Sequence, residues 1–348
     1  MGATLATIVT RLAQRLKQNH SFEEYVESVR LRAGRIPFIP TFWRTLSSAF
    51  SVASGASIGR EGSMIQFAAA LTSWIGAKRR IPNLPLSRQV AYGAAAAVAA
   101  VYQAPIAGIF FAIEIVLGEW AWENALPLLM ASLSGWLVSR WLLGTGPLFA
   151  VAGTLHLTLG FFWILPLALL FGISGPAYQK ILRYSMVAKR LPFALLWSAS
   201  LVGLLSIVEP RVWGNGDAAL ANVLQGNATL VHVAGLLAFR VIATTACVAT
   251  GTLGGVFTPT LFAGAAAGLA SAQLLHSQEP LVFAIFGMGL LMAAVTHAPF
   301  MAALMAVELT GQWHLLPIIA PCALIASFIA RTISSASLYG IASPEPTE

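Results

Sequence analysis

Arg60 and Glu61 stand between glycines in residues 58–70, IGREGSMIQFAAA, where a polar turn gives way to an apolar helix. Charge inside a bilayer is costly and is tolerated mainly where it handles an ion, a proton or a substrate. Glycine permits a tight turn, and a helix starting near Gly62 aims unpaired N–H groups at the junction. The positive end of the helix dipole favours an anion there, so Gly59, Arg60 and Gly62 are candidate anion-binding residues. Glu61 sits where an external anion would also settle. Ionised, it competes with that anion; protonated, it can swing away. One carboxylate could thus be both gate and proton acceptor. The plainer alternative is a Glu61–Arg60 pair that closes the helix end.

A second junction lies in residues 251–268, GTLGGVFTPTLFAGAAAG. Gly255 precedes Val256, Phe257 and Thr258, and Pro259 is expected to begin a small-residue helix. The amides of Val256 and Phe257 could hold an anion with no cationic side chain. Weak binding of that kind suits conduction, because the ion must also leave. The alternative is a Gly/Ala surface for helix packing.

Three further groups carry less. Glu114 and Glu308 each end an Ala-Pro-initiated apolar helix. They are either members of a proton path or structural carboxylates, capping a neighbouring helix or pairing with a base such as Arg240; the structural reading is the more economical. Tyr339, in SASLYG, offers a phenol to an ion or belongs to an interfacial belt. Cys247 and Cys322 read as small buried side chains. No histidine or cysteine spacing forms a metal site, and no cofactor is implied.

The elements that position these residues are apolar helices. The chain has 348 residues, 57% of them hydrophobic and 9% charged, with mean hydropathy +0.78. A soluble domain carries roughly 25% charged residues, so this reads as an all-α polytopic membrane protein embedded in a lipid bilayer. The net charge of +7 resides in short clusters such as Lys78, Arg79 and Arg80, which mark loops on the cytoplasmic side. They form no nucleic-acid footprint. Apolar segments fall near 42–58, 62–77, 88–102, 105–118, 122–144, 157–183, 191–208, 230–249, 258–275, 280–296, 299–311 and 314–332. A hydrocarbon core of about 30 Å needs roughly 20 helical residues. Segments 62–77, 105–118 and 299–311 are shorter and begin at Gly or Pro junctions, which makes them candidate half-helices or re-entrant helices.

An internal repeat organises the chain. APIAGIFFAIE at 104–114 returns as APFMAALMAVE at 298–308, and Gly55-Ala-Ser-Ile-Gly59 faces Gly251-Thr-Leu-Gly-Gly255. Paired broken segments in two halves point to a transporter-type site at their interface. The expected organisation is a lead-in over 1–41, a first half over 42–208, a polar connecting segment over 209–229 holding one short helix, a second half over 230–340 and a tail over 341–348, with no regulatory domain. Spacing alone leaves open whether the halves are parallel or inverted.

Taken together, GREGS at 59–63, QAPIAGIFFAIE at 103–114, RVIATTACVATGTLGGVFTP at 240–259, HAPFMAALMAVE at 297–308 and SLYG at 337–340 resemble the CLC family of chloride channels and proton-coupled anion transporters. The resemblance runs from about residue 35 to residue 339 and is closest to bacterial members. It implies an inverted-repeat fold with broken and re-entrant helices, in a bacterial inner membrane. It also implies a homodimer with one pore per subunit, in which the 104–135 and 299–330 helices form much of the interface. Glu61 matches the family's gating glutamate, Val256 and Phe257 its backbone-amide anion site, and Tyr339 the tyrosine whose hydroxyl contacts the central anion. Chloride and, in antiporters, a proton are the expected partners.

Three departures bear on function. The family's GSGIP segment, whose serine contacts the ion, has QNHSF here at 18–22, leaving His20 or Ser21 as the inner-side candidates. The proline after the first motif is Ser63, which also suits a helix start. Antiporters commonly carry a second glutamate at the position of Ile115, and isoleucine cannot carry a proton. Glu114 or Glu119 could stand in, or the pathway is uncoupled. The family also has more N-terminal helices than residues 1–35 can supply, so the chain is expected to be truncated, mis-started or natively short. The rival readings are transport of another anion such as fluoride or nitrate, and a non-conducting membrane subunit. An enzyme is not expected, because no nucleophile–base pair stands at usable spacing.

Overall fold

The computed structural model describes residues 24–79, 84–120, 122–144, 146–151, 155, 162–185, 193–226 and 228–339. Among the described residues the regular structure is helical. In chain order the helices are α1 (Glu24–Leu31), α2 (Phe38–Ala53), α3 (Glu61–Arg79), α4 (Leu86–Tyr102), α5 (Pro105–Phe111), α6 (Ala125–Leu143), α7 (Ile164–Tyr184), α8 (Ala194–Val208), α9 (Asp217–Val223), α10 (Leu230–Ala249), α11 (Phe257–Leu274), α12 (Pro280–Thr296), α13 (Pro299–Thr310) and α14 (Leu316–Ile333).

Two lengths of apolar helix coexist. Trp122–Leu143, Ile164–Tyr184, Leu230–Ala249 and Trp313–Ile333 are long and apolar enough to cross a membrane. The 12 residues of α13 extend only about 18 Å, well short of the hydrocarbon core. Such a helix is stable at membrane depth only where protein covers its ends, and α13 is almost wholly buried. The outer helices do the reverse: Trp122 and Trp141 are 84% and 83% exposed, as side chains facing lipid would be.

The repeat is visible in backbone detail. α4 ends at Gln103 (φ 52°) and α12 at His297 (φ 59°), both left-handed. Each is followed by an alanine of matching non-helical backbone, Ala104 (φ −122°, ψ 79°) or Ala298 (φ −120°, ψ 77°), and then by a proline at the first helical position. Proline suits that position, since its missing N–H would be unpaired there anyway. The copies differ at their ends. α13 remains α-helical to Thr310, whereas α5 loosens after Phe111 into a π-turn over Ala112–Leu117, so the single α-helix expected over 105–118 is two helical forms in series. α12 is apolar on every face and lies at the centre. α11 packs closely along it: a Cβ on Gly264 would come within 2.3 Å of the Gly287 carbonyl oxygen, so glycine sets that backbone approach.

Two sets of contacts reveal a pseudo-two-fold axis between the halves. Gly59 and Gly255 form an antiparallel bridge, each amide donating to the other's carbonyl at 2.6 Å. Glu308 accepts from the α5 amides of Ile106 (3.0 Å) and Ala107 (2.7 Å). Glu114 accepts from the α13 amides of Phe300 (3.3 Å) and Met301 (2.7 Å). Each residue touches its own repeat counterpart or that counterpart's helix, as a two-fold relation requires.

Candidate functional site

The Gly59–Gly255 bridge brings the starts of α3 and α11 face to face. Their approach depends on glycine: a Cβ on Gly62 would stand 2.9 Å from the Gly255 Cα, and one on Gly255 would stand 2.9 Å from the Gly62 nitrogen. The first amides of a helix have no acceptor within it, so two sets of donors and two positive dipole ends converge on one point. α11 begins at Phe257, two residues before the expected Pro259. A proline fits anywhere in the first turn, because none of those nitrogens has an intrahelical partner.

Beside this point lies a cavity of about 70 Å³, lined in part by Gly62, Gly255, Val256, Phe257, Tyr339 and Arg183. Five of these six were expected from sequence, and they come from three separate stretches of chain. Tyr339 is 8% exposed and stands edge-on to Phe111, with ring centroids 6.2 Å apart. Phe111 in turn meets Phe257 at 6.4 Å and Tyr25 at 6.3 Å, so three aromatic rings of the cavity lining pack on Phe111.

Glu61 is 2% exposed. Its Oε1 accepts from Asn215 Nδ2 at 3.0 Å. Its Oε2 lies against Gly59, where a Cβ would come within 2.4 Å of it. Thr258, fully buried, joins this corner, its hydroxyl 3.2 Å from that of Tyr102. Gly59 is occupied in the bridge. Arg60 is not brought to the cavity lining: its guanidinium faces outward and meets Asp217 at 3.4 Å. The sequence alternative of a Glu61–Arg60 pair is therefore not the arrangement formed, since each has a partner in the connecting segment.

Glu114 has both carboxylate oxygens on the amides of Phe300 and Met301, the helix-capping role that sequence favoured. Arg240 pairs with neither Glu114 nor Glu308. It is 1% exposed, and its two terminal guanidinium nitrogens donate to the loop carbonyls of Arg211 (2.7 Å), Val212 (3.2 Å) and Gly214 (3.2 Å), while its buried Nε has no partner among the described residues. Ile115 is buried and its carbonyl accepts from Arg30 at 2.8 Å. His20 and Ser21 lie outside the described residues. Cys247 and Cys322 are both buried free thiols.

Sequence reasoning missed Tyr25, Tyr102, Arg183 and Asn215. Tyr102 had a signal, since it is the last residue of an Ala-rich helix immediately before the QAPI junction. Asn215 had a weaker one, the turn-forming WGNGD within a stretch read only as loop. Tyr25 and Arg183 had none, because only the tertiary fold brings them near residue 339.

A family model described as voltage gated chloride channel matches residues 1–331. The chain belongs to that family. Among its CLC relatives, a ClcB-like chloride channel protein of Ralstonia nicotianae is 37% identical, with 92% of this chain and 79% of the relative covered. A voltage-gated ClC-type chloride channel, ClcB, of Shigella flexneri is 34% identical over the same shares. Among solved structures, a slow cyanobacterial Cl⁻/H⁺ antiporter superposes with TM-score 0.83 at 23% identity, covering 97% of this chain and 85% of the other. A CLC-type fluoride/proton antiporter superposes with TM-score 0.76 at 22% identity, covering 97% and 86%. At such identities the structures establish the fold: a CLC inverted repeat built from broken and re-entrant helices.

Proposed function

We propose that this CLC protein carries chloride across a bacterial plasma membrane, with Glu61 as the gate. The observation that carries the reading is the Gly59–Gly255 bridge, which sets two helix N-termini against one small cavity, with the buried carboxylate of Glu61 one residue before the lining residue Gly62. Amides of Val256 and Phe257 and the Tyr339 hydroxyl hold the anion as dipoles. They attract it as dipoles, which hold an anion weakly enough to release it, and the one cation among the described residues lining the cavity, Arg183, spends a guanidinium N–H on the Ser337 carbonyl. Glu61, ionised, takes the anion's place; displaced or protonated, it opens the path. Arg60 acts on Asp217 rather than on the anion, and Glu114 serves the helix pair rather than a proton path.

The working unit is a homodimer in the bilayer. Leu126 and Met130 on α6 and Leu324 and Phe328 on α14 are exposed on the single chain, which supports an apolar subunit contact on these helices. The work done is transport rather than catalysis of a covalent reaction.

The test is chloride efflux from loaded proteoliposomes containing the purified protein, with fluoride and nitrate as competitors. Chloride efflux well above that of protein-free vesicles is expected. Efflux of fluoride or nitrate with chloride excluded would transfer the reading to that anion, and no efflux of any anion from intact protein would overturn it.

A further inference from the structure

The carboxamide of Asn215 stands between two carboxylates. Its Nδ2 donates to Glu61 Oε1 at 3.0 Å and to Asp217 Oδ2 at 2.8 Å. An amide nitrogen has two hydrogens, so both are engaged, while Oδ1 accepts from the Asp217 amide at 3.3 Å. This pattern fixes which end of the amide faces Glu61. The groups that face Glu61 come from three places: Asn215 and Asp217 from the connecting segment, Thr258 from α11 and Tyr102 from α4.

The loop that presents Asn215 is held from both sides. Arg240 of α10 grips the carbonyls of Arg211, Val212 and Gly214 from beneath. On the other side Trp213 Nε1 donates to the Ser54 carbonyl at 3.0 Å, and the Gly214 amide donates to the Gly55 carbonyl at 3.2 Å, tying the loop to the end of α2. Gly216, at φ 108°, lets the chain turn back against the Arg240 guanidinium. The far side of the network ends on Arg60, which meets Asp217 at 3.4 Å. A rigid loop thus aims one amide donor at the carboxylate that the pore must move.

We infer that Asn215 is a positioning residue that holds the Glu61 side chain in its pore-closing place, and that Arg60 and Asp217 orient Asn215 in turn. The inference rests on Glu61 being the gate. A charge-assisted hydrogen bond favours the conformer that makes it, so Asn215 sets how often Glu61 withdraws and therefore how fast anions pass. Glu61 itself remains the residue that meets the anion.

The experiment is a mutant cycle read as chloride efflux from proteoliposomes. Asn215→Ala and Asn215→Leu are each made in the wild-type chain and in Glu61→Ala, with every protein checked for its size-exclusion profile in detergent. Asn215→Leu keeps roughly the side-chain size and removes the donor without adding a charge beside Glu61 and Asp217, so it decides the matter should the alanine variant fail to fold. Removing the donor is expected to speed efflux about tenfold when Glu61 is present, and by less than about twofold when Glu61 is alanine. A loop that was merely structural would change both backgrounds alike. Equal changes in both, or no acceleration with Glu61 present, overturns the inference while leaving the gate intact. Absence of anion efflux from all of the proteins, Glu61→Ala included, overturns the function reading and this inference with it.

Discussion

Replacing Glu308 by alanine removes both acceptors from the first turn of α5. Glu308 is 7% exposed, and its oxygens lie 3.0 Å from the Ile106 nitrogen and 2.7 Å from the Ala107 nitrogen. Pro105 has no N–H to lose, so these two amides are the donors at stake. A buried donor left without a partner costs about 1–3 kcal/mol, which gives about 2–6 kcal/mol for Glu308→Ala. Glu308→Gln keeps one acceptor and turns an NH₂ toward the other amide, for a loss of about 1–3 kcal/mol. Glu114→Ala strips Phe300 and Met301 in the same way, but one of those bonds is 3.3 Å long, so its effect is the smaller of the two. Because both caps serve one helix pair, the double variant is not additive. Thermal unfolding in detergent, followed by helical circular dichroism at a fixed scan rate, should rank the proteins wild type, Glu308→Gln, Glu308→Ala in descending stability. A Glu308→Ala protein that melts with the wild type would refute the reciprocal capping.

Two other outcomes follow from the geometry. Gly255→Ala places a Cβ 2.9 Å from the Gly62 nitrogen, which pushes the two helix starts apart and misplaces the amides proposed to hold the anion. Chloride efflux should fall at least roughly tenfold while the protein still elutes as folded, and efflux at the wild-type rate would count against the bridge as the site's foundation. Arg240→Met leaves the carbonyls of Arg211, Val212 and Gly214 without their shared donor and should destabilise the fold by about 3 kcal/mol or more. Chymotrypsin should then cleave faster at Trp213, which would be freed from Ser54; unchanged cleavage and melting would show that the guanidinium does not organise the loop.

Much of the fold was legible because its determinants are local. Apolar runs bounded by Gly and Pro marked the helices, and the 104–114 and 298–308 pair marked the repeat before any contact was known. Gly62, Gly255, Val256 and Phe257, which line one cavity, could be picked out because glycine-rich turns before helices carry their chemistry in the sequence itself, whereas Tyr339 was reached only through the resemblance of SLYG to the CLC family. What escaped was long-range. Nothing in the order of residues says that Asn215 reaches Glu61, that Arg60 turns outward to Asp217, or that the neighbouring helix capped by Glu114 or Glu308 is the other Ala-Pro helix. The π-turn after Phe111 was illegible too, since AIEIVL reads as ordinary helix.

The central claim is that Glu61 closes the anion path and nothing else at that site does. Its most direct test is chloride efflux from proteoliposomes carrying Glu61→Gln beside wild type, with external pH recorded at the same time. The neutral amide keeps the size of the carboxylate and lacks the charge that competes with an anion. The account predicts chloride efflux at or above the wild-type rate, with any proton movement seen in the wild type abolished. Loss of chloride efflux from a Glu61→Gln protein that remains folded would contradict it.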